Sequence, residues 1–165
     1  MEDRPLRGKL PLSGRKPIRL PRNAYETHDH SWHFVLSAKP SAGHPFSNVA
    51  FATRAQETIV ERCIALRADL LLSCLMPNHV HLLLAAGESN LLDVVSDVKS
   101  NITRSSWPFG FKGSFWQRRF YDHGIRGDHD FQATVAYILQ NPVEAEIVED
   151  WATYPWLTVT LLHPP

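Results

Sequence analysis

Two apolar runs of strand length, Leu70 to Met76 and His79 to Ala86, are separated only by Pro77-Asn78. Proline presets the backbone for a turn and asparagine tolerates the position after it. The spacing therefore predicts a β-hairpin, and it restricts the chain to folds with a sheet at their centre. It also fixes directions. Side chains alternate faces along a strand, so His79 and His81 point one way while Val80 between them points into the core. Two imidazoles side by side on a rigid strand are a ready pair of metal ligands. The pattern also fits two ordinary histidines on a half-exposed strand, satisfied by water or backbone.

The flanking segments tell which sheet this is. Trp32 to Ala38 is a plausible first strand, and Lys39 to Asn48, with two prolines and a glycine, is a loop. From Thr53 to Arg67 the apolar residues Ala55, Ile59, Cys63 and Leu66 form a helical stripe. After the hairpin, Ser89 can cap a helix to about Ser105, striped by Leu91, Leu92, Val95, Val98 and Ile102. Trp107 to Ser114 is loop, and Phe115 to Arg126 extends into a fourth strand. Asp128 or Asp130 can cap a last helix through Gln140, with Phe131, Val135 and Ile138 inward. Pro142 marks its end or a kink, because proline disfavours helical geometry before it. A short helical turn over 143–148 and the aromatic stretch Trp151 to Trp156 follow. The order strand, helix, strand, strand, helix, strand, helix predicts an α+β, ferredoxin-like split βαβ. Its sheet is antiparallel, its helices lie mainly on one face, and the extra C-terminal helix carries Tyr137.

With 165 residues, 44% of them hydrophobic, the chain suits one domain with one sizeable core. The expected division is a basic, Pro-rich tail over 1–24, a domain over 25–157 and a short tail over 158–165. No run approaches the roughly 18 apolar residues of a membrane helix. The N-terminus lacks the apolar segment of a secretory signal. Cys63 and Cys74 sit in apolar segments, without disulfide or zinc spacing, as in a cytoplasmic protein. The zero net charge hides an asymmetry. Residues 1–22 carry seven basic groups against Glu2 and Asp3, leaving ten basic and fifteen acidic groups elsewhere. Within that acidic remainder, Lys99, Arg104, Lys112, Arg118, Arg119 and Arg126 stand against Asp122 alone over 98–126. Such islands suggest a localised polyanion site rather than a general basic coat.

Two histidines are too few for tight metal binding, and the last helix offers a third donor. Tyr137 and Asn141 lie four apart and share a helix face, off the stripe of Phe131, Val135 and Ile138. The Asn141 amide oxygen suits a hard divalent ion, so with the imidazoles it makes a mixed site for Mg²⁺ or Mn²⁺. The Tyr137 hydroxyl falls near the same ion; read alone, Tyr137 is a boundary aromatic with its hydroxyl in water. In the block Trp116-Gln117-Arg118-Arg119-Phe120, arginines can contact phosphates and aromatics can stack on unpaired bases. Trp116 also fits a plain core position. Lys99 and Arg104 can extend that surface.

The segments Met-Pro-Asn-His-Val-His, Phe-Trp-Gln-Arg-Arg-Phe-Tyr-Asp-His, Ala-Tyr-Ile-Leu-Gln-Asn-Pro-Val and Tyr-Pro-Trp occur in this order. Over roughly residues 25–157 the chain resembles the single-tyrosine HUH transposases, most of all the REP-associated (IS200-like) branch. The resemblance implies a ferredoxin-like fold and a metal-dependent enzyme that cuts and rejoins single-stranded DNA beside hairpins, at REP-like or insertion-sequence ends. It implies His79 and His81 as metal ligands, Tyr137 as nucleophile forming a 5′-phosphotyrosine link, and Asn141 as the amide ligand. Tyr121 is the competing tyrosine, without an amide four residues on. The resemblance further implies a nucleoid-associated monomer or homodimer with no membrane partner. A DNA-binding protein of transposase ancestry that no longer cuts is the alternative, and an unrelated metal hydrolase using the histidine pair is a third reading.

Overall fold

The computed structural model describes residues 21–25 and 30–160. The expected N-terminal tail, up to residue 20, lies outside the described residues, as do 161–165. Five strands form one antiparallel sheet: β1 (Ser31–Ser37), β2 (Asp69–Met76), β3 (His79–Ala85), β4 (Tyr121–Gly124) and β5 (Leu157–Val159). Their spatial order is β4-β1-β3-β2-β5. The first four make the ferredoxin-like arrangement expected from the element order. Among the described residues the α-helices are α1 (Val49–Ala65), α2 (Leu91–Ser106) and α3 (Gly127–Glu144).

The central strands β2 and β3 are buried on both faces, which is why they read as unbroken apolar runs rather than as alternation. On one face Phe34, Leu36, Val80, Leu82 and Leu84 meet Phe51, Ala55 and Ile59 of α1 and Val95, Val98 and Ile102 of α2. On the other face Leu72, Cys74, Met76 and Leu83 meet Ile138 of α3. A bulge between Leu70 and Leu72 changes the face parity of β2 midway, so Leu70 packs on the first side and Leu72 on the second. Among the described residues no helix is long and apolar enough to cross a membrane.

Several local expectations change. Asn48 caps α1 by accepting the Phe51 N–H at 3.0 Å, so that helix begins four residues before Thr53. Asn90 rather than Ser89 caps α2; the Ser89 hydroxyl donates to Leu66 O at 2.5 Å instead. At the start of α3 neither Asp128 nor Asp130 is the cap. Arg126 occupies that position, and Asp130 reaches back to accept its N–H at 2.7 Å. Pro142 lies inside α3, which runs on to Glu144. Its missing N–H costs one bond, and Ala145 N–H to Asn141 O at 3.0 Å resumes the ladder. Of the separate turn expected over 143–148, residues 143 and 144 belong to α3, and a hydrogen-bonded turn at 145–146 follows it. The fourth strand is shorter than Phe115 to Arg126. Phe115 and Trp116 are neighbours yet both buried, which one face of a regular strand cannot accommodate. Only the bridge Ala38–Trp116 precedes Tyr121–Gly124. Finally, β5 pairs Leu157–Val159 with β2, so sheet pairing continues past residue 157.

Candidate active site

The sheet register builds the site on the α3 side. Tyr121 of β4, Val35 of β1, His81 of β3 and Cys74 of β2 are successive cross-strand partners. His123 and His33 form the adjacent pair, which places His33 diagonal to His81 on the same face. The diagonal closes as a contact: His33 Nε2 lies 3.0 Å from His81 Nδ1. The two motif histidines converge at their outer nitrogens, with His79 Nε2 and His81 Nε2 3.1 Å apart. His79 Nδ1 is 2.8 Å from Asn78 Oδ1.

The third helix covers this row. The Tyr137 ring stands edge-on to His81, with centroids 5.6 Å apart, and edge-on to His33 at 6.1 Å. One turn later the Asn141 side chain hydrogen-bonds His81. The structure therefore brings His79, His81, Tyr137 and Asn141 together, from a hairpin and a helix some sixty residues apart in the chain. Tyr121 approaches the same cluster from β4, its ring 5.8 Å from that of His33.

Burial sets the charge states here. His79 is held down at about 4 by desolvation. His33 also falls to about 4, by burial first and then by the nearby His123. Burial lowers His81 well below the ordinary histidine range; repulsion from His79 and His33 adds to this, and the Asn141 bond opposes it. All three are neutral at pH 7, the form that ligates metals. Tyr121 is raised by burial, then by Tyr137, Asp122 and Asp130.

The donor set fits a small divalent cation. Nitrogen ligands bind such ions at about 2.0–2.1 Å, and two of them at a right angle on one ion stand about 3 Å apart by that geometry. The Nε2 separation of 3.1 Å matches. Among the described residues no three or more His, Cys, Asp or Glu side chains form a metal cluster. An amide oxygen is the donor available to complete the pair.

The cationic residues divide. Lys99 and Arg118, with Lys39, line a cavity of about 480 Å³ beyond the end of β1. Lys99 is half-buried, with its ammonium 5.5 Å from the Phe120 ring centre. Arg119 is exposed. Arg104 instead lines a separate cavity with Asp93 and Asp97. Trp116 is only 6% exposed and its indole donates to Lys99 O at 3.0 Å. A ring so enclosed leaves little face for a base to stack on, although Trp116 lines the same cavity as Lys99 and Arg118, and in this conformation its indole holds the Lys99 backbone. The strand reading passed over two features of this site. His33 is a lone histidine inside an apolar strand, and that anomaly was its only sequence signal. The His123–Asp130 pair, at 3.0 Å, joins β4 to the first turn of α3.

Over residues 26–141 the sequence matches the family described as Transposase IS200 like. The chain belongs to the IS200-like transposases. It is 32% identical over 93 residues to a Haemophilus influenzae protein assigned to the REP-associated tyrosine transposases, covering 47% of this chain and 53% of that protein. It is 31% identical over 85 residues to the REP-associated tyrosine transposase of Escherichia coli, covering 50% of this chain and 49% of that one. The chain spans about half the length of the curated relatives it matches. Its fold is similar to that of a REP-associated tyrosine transposase solved bound to a REP hairpin. The TM-score is 0.70 at 19% identity, covering 87% of this chain and 82% of that one.

Proposed function

We propose that this IS200-like transposase is a divalent-metal-dependent enzyme that nicks and rejoins single-stranded DNA beside hairpins through a 5′-phosphotyrosine intermediate. The observation that carries the reading is the docking of α3, which sets the Tyr137 ring 5.6 Å from the ring of His81, whose Nε2 lies 3.1 Å from that of His79. His79, His81 and Asn141 would hold the cation, Mg²⁺ or Mn²⁺. When bound, it supplies a Lewis acid for the scissile phosphate and for a tyrosine hydroxyl whose reference pKa is about 10.

The protein's own residues then divide the work. Tyr137 Oη attacks phosphorus, the phenolic proton leaves, and the bond from phosphorus to the 3′ oxygen breaks. The 3′ oxygen takes up a proton and departs as a hydroxyl. The phosphodiester energy is kept in the tyrosine ester, so an incoming 3′-hydroxyl can reverse the step without ATP. One chain supplies all four side chains, so a monomer suffices for one cleavage. The IS200-like relatives carry REP-associated names, and a REP-like hairpin is accordingly the substrate proposed here.

Charge pairing supports the DNA path. Arg22, Arg54, Arg62 and Arg67 each bind a carboxylate. Among the described residues Lys39, Lys99, Arg104, Lys112, Arg118, Arg119 and Arg126 form no ion pair, and three of these seven, Lys39, Lys99 and Arg118, line one groove. That groove shares an end of the sheet with the histidines, since Ala38 N–H donates to Asn78 O at 2.9 Å. Free cations on a grooved surface suit a phosphate backbone.

Covalent trapping tests the proposal. End-labelled single-stranded DNA carrying a hairpin is incubated with the protein and Mg²⁺ or Mn²⁺, then run on a denaturing gel. A protein-linked label is expected, lost with Tyr137→Phe and with chelator. An adduct surviving Tyr137→Phe would move the nucleophile to Tyr121. Hairpin binding without any adduct would identify a DNA binder that no longer cuts.

A further inference from the structure

We propose that His33 and Asn78 are positioning residues that set the tautomers of His81 and His79, so that both Nε2 atoms face a divalent cation without a proton. The inference rests on the metal reading above and extends it to two residues outside the ligand set.

A neutral imidazole carries one N–H, and the nitrogen that ligates a metal must be the other one. For His79 the choice is made next door in the chain. Asn78 Oδ1 can only accept, and it lies 2.8 Å from His79 Nδ1. The proton of His79 therefore sits on Nδ1 and its Nε2 is bare.

His81 is different. Its side chain is 1% exposed, so the protein rather than solvent must satisfy its nitrogens. Nδ1 meets His33 Nε2 at 3.0 Å, Nε2 meets His79 Nε2 at 3.1 Å, and the Asn141 side chain adds a bond that favours a proton on the ring. Because His79 Nε2 is bare, that second contact is a hydrogen bond only if His81 holds its proton on Nε2. His33 Nε2–H then donates to His81 Nδ1. With a cation on the two Nε2 atoms, the His81 proton belongs on Nδ1, and His33 Nε2 becomes the acceptor. The proton count is unchanged: each ring moves one proton from Nε2 to Nδ1. His33 must thus donate in one condition and accept in the other, from one place in a buried site. Imidazole tautomerism permits this, and a glutamine can approximate it by turning its amide. A phenylalanine of similar size offers neither.

The test uses the full chain and reads metal binding, not cleavage. Free Mn²⁺ is followed by its electron-paramagnetic signal during titration of the unsubstituted protein, His33→Phe, His33→Gln, Asn78→Ala, Asn78→Asp and His79→Ala, each with a thermal melt. His33→Phe should melt cooperatively yet bind Mn²⁺ about 10- to 100-fold more weakly, the usual cost of losing an outer hydrogen bond to a ligand. His33→Gln should recover most of the loss, and Asn78→Asp should bind better than Asn78→Ala. Unchanged affinity in a folded His33→Phe, or equal losses in His33→Phe and His33→Gln, would overturn the inference while leaving the metal site standing. Failure of the unsubstituted protein to bind, or full binding by His79→Ala, would overturn the metal reading and this inference with it. Should His33→Phe not fold, long-range proton–nitrogen correlation on the unsubstituted protein decides. Added Mg²⁺ should move the His81 proton from Nε2 to Nδ1, and a proton that stays on Nε2 would refute the scheme.

Discussion

The two faces of the sheet use the same strands for opposite purposes. Toward α1 and α2, β3 presents Val80, Leu82 and Leu84, all fully buried among aliphatic and aromatic neighbours. Toward α3 it presents His79 and His81, joined by His33, His123, Tyr121 and Tyr137 from three other elements. One face is organised by area removed from water; the other sets a smaller apolar cluster, with Leu72, Met76, Leu83 and Ile138, beside hydrogen-bonded histidine rings that are buried and yet polar. The lesson is that the apolar face can carry the stability that the histidine face gives up to chemistry.

The largest break in this comparison should come from Tyr137→Phe. It removes one hydroxyl from α3, keeps the ring contacts, and should abolish the covalent adduct while the melting temperature moves little. His79→Ala should likewise end cleavage but leave hairpin binding measurable in a gel-shift assay. If binding disappears in a folded variant, the histidine is structural.

On the opposite face Leu82→Ala should do the reverse. Truncating a fully buried leucine costs about 2–5 kcal/mol, read as a lower denaturation midpoint, and the adduct should still form in the protein that remains folded. A midpoint unchanged by this variant would contradict the division of labour.

Acid should distinguish the faces again. His33 and His79 sit at about 4 in the folded chain against an ordinary value near 6.5. The unfolded chain therefore binds more protons between those values, and stability is lost as pH falls from about 6.5 to 4. A melting temperature flat across that window would show that these rings are more solvated than their packing indicates.

Smaller effects are expected at the groove. Arg118→Ala with Arg119→Ala should weaken hairpin binding and reduce the slope of log affinity against log salt by about two at most. An unchanged slope would remove both arginines from the interface.

Much of the architecture was legible because it rests on local rules. The hairpin at Pro77-Asn78, the shared direction of His79 and His81, and the pairing of Tyr137 with Asn141 on one helix face follow from turn chemistry and from strand and helix periods. The ends of elements were less legible. Asn48, Asn90 and Arg126 hold helix starts that other residues could have held equally well by composition, and β5 is a three-residue strand too short to show a period.

The sequence by itself determined which side chains could share a face, because alternation and helical repeat are properties of the backbone. Only the tertiary structure decided which faces meet. It put the separate helix α3 over the His79–His81 row, set His33 against His81 across two strands, and enclosed Trp116 while leaving Arg118 and Arg119 exposed. Those contacts join residues far apart in the chain. They depend on register, on the bulge in β2 and on how the helices dock, and no short window of sequence holds that information.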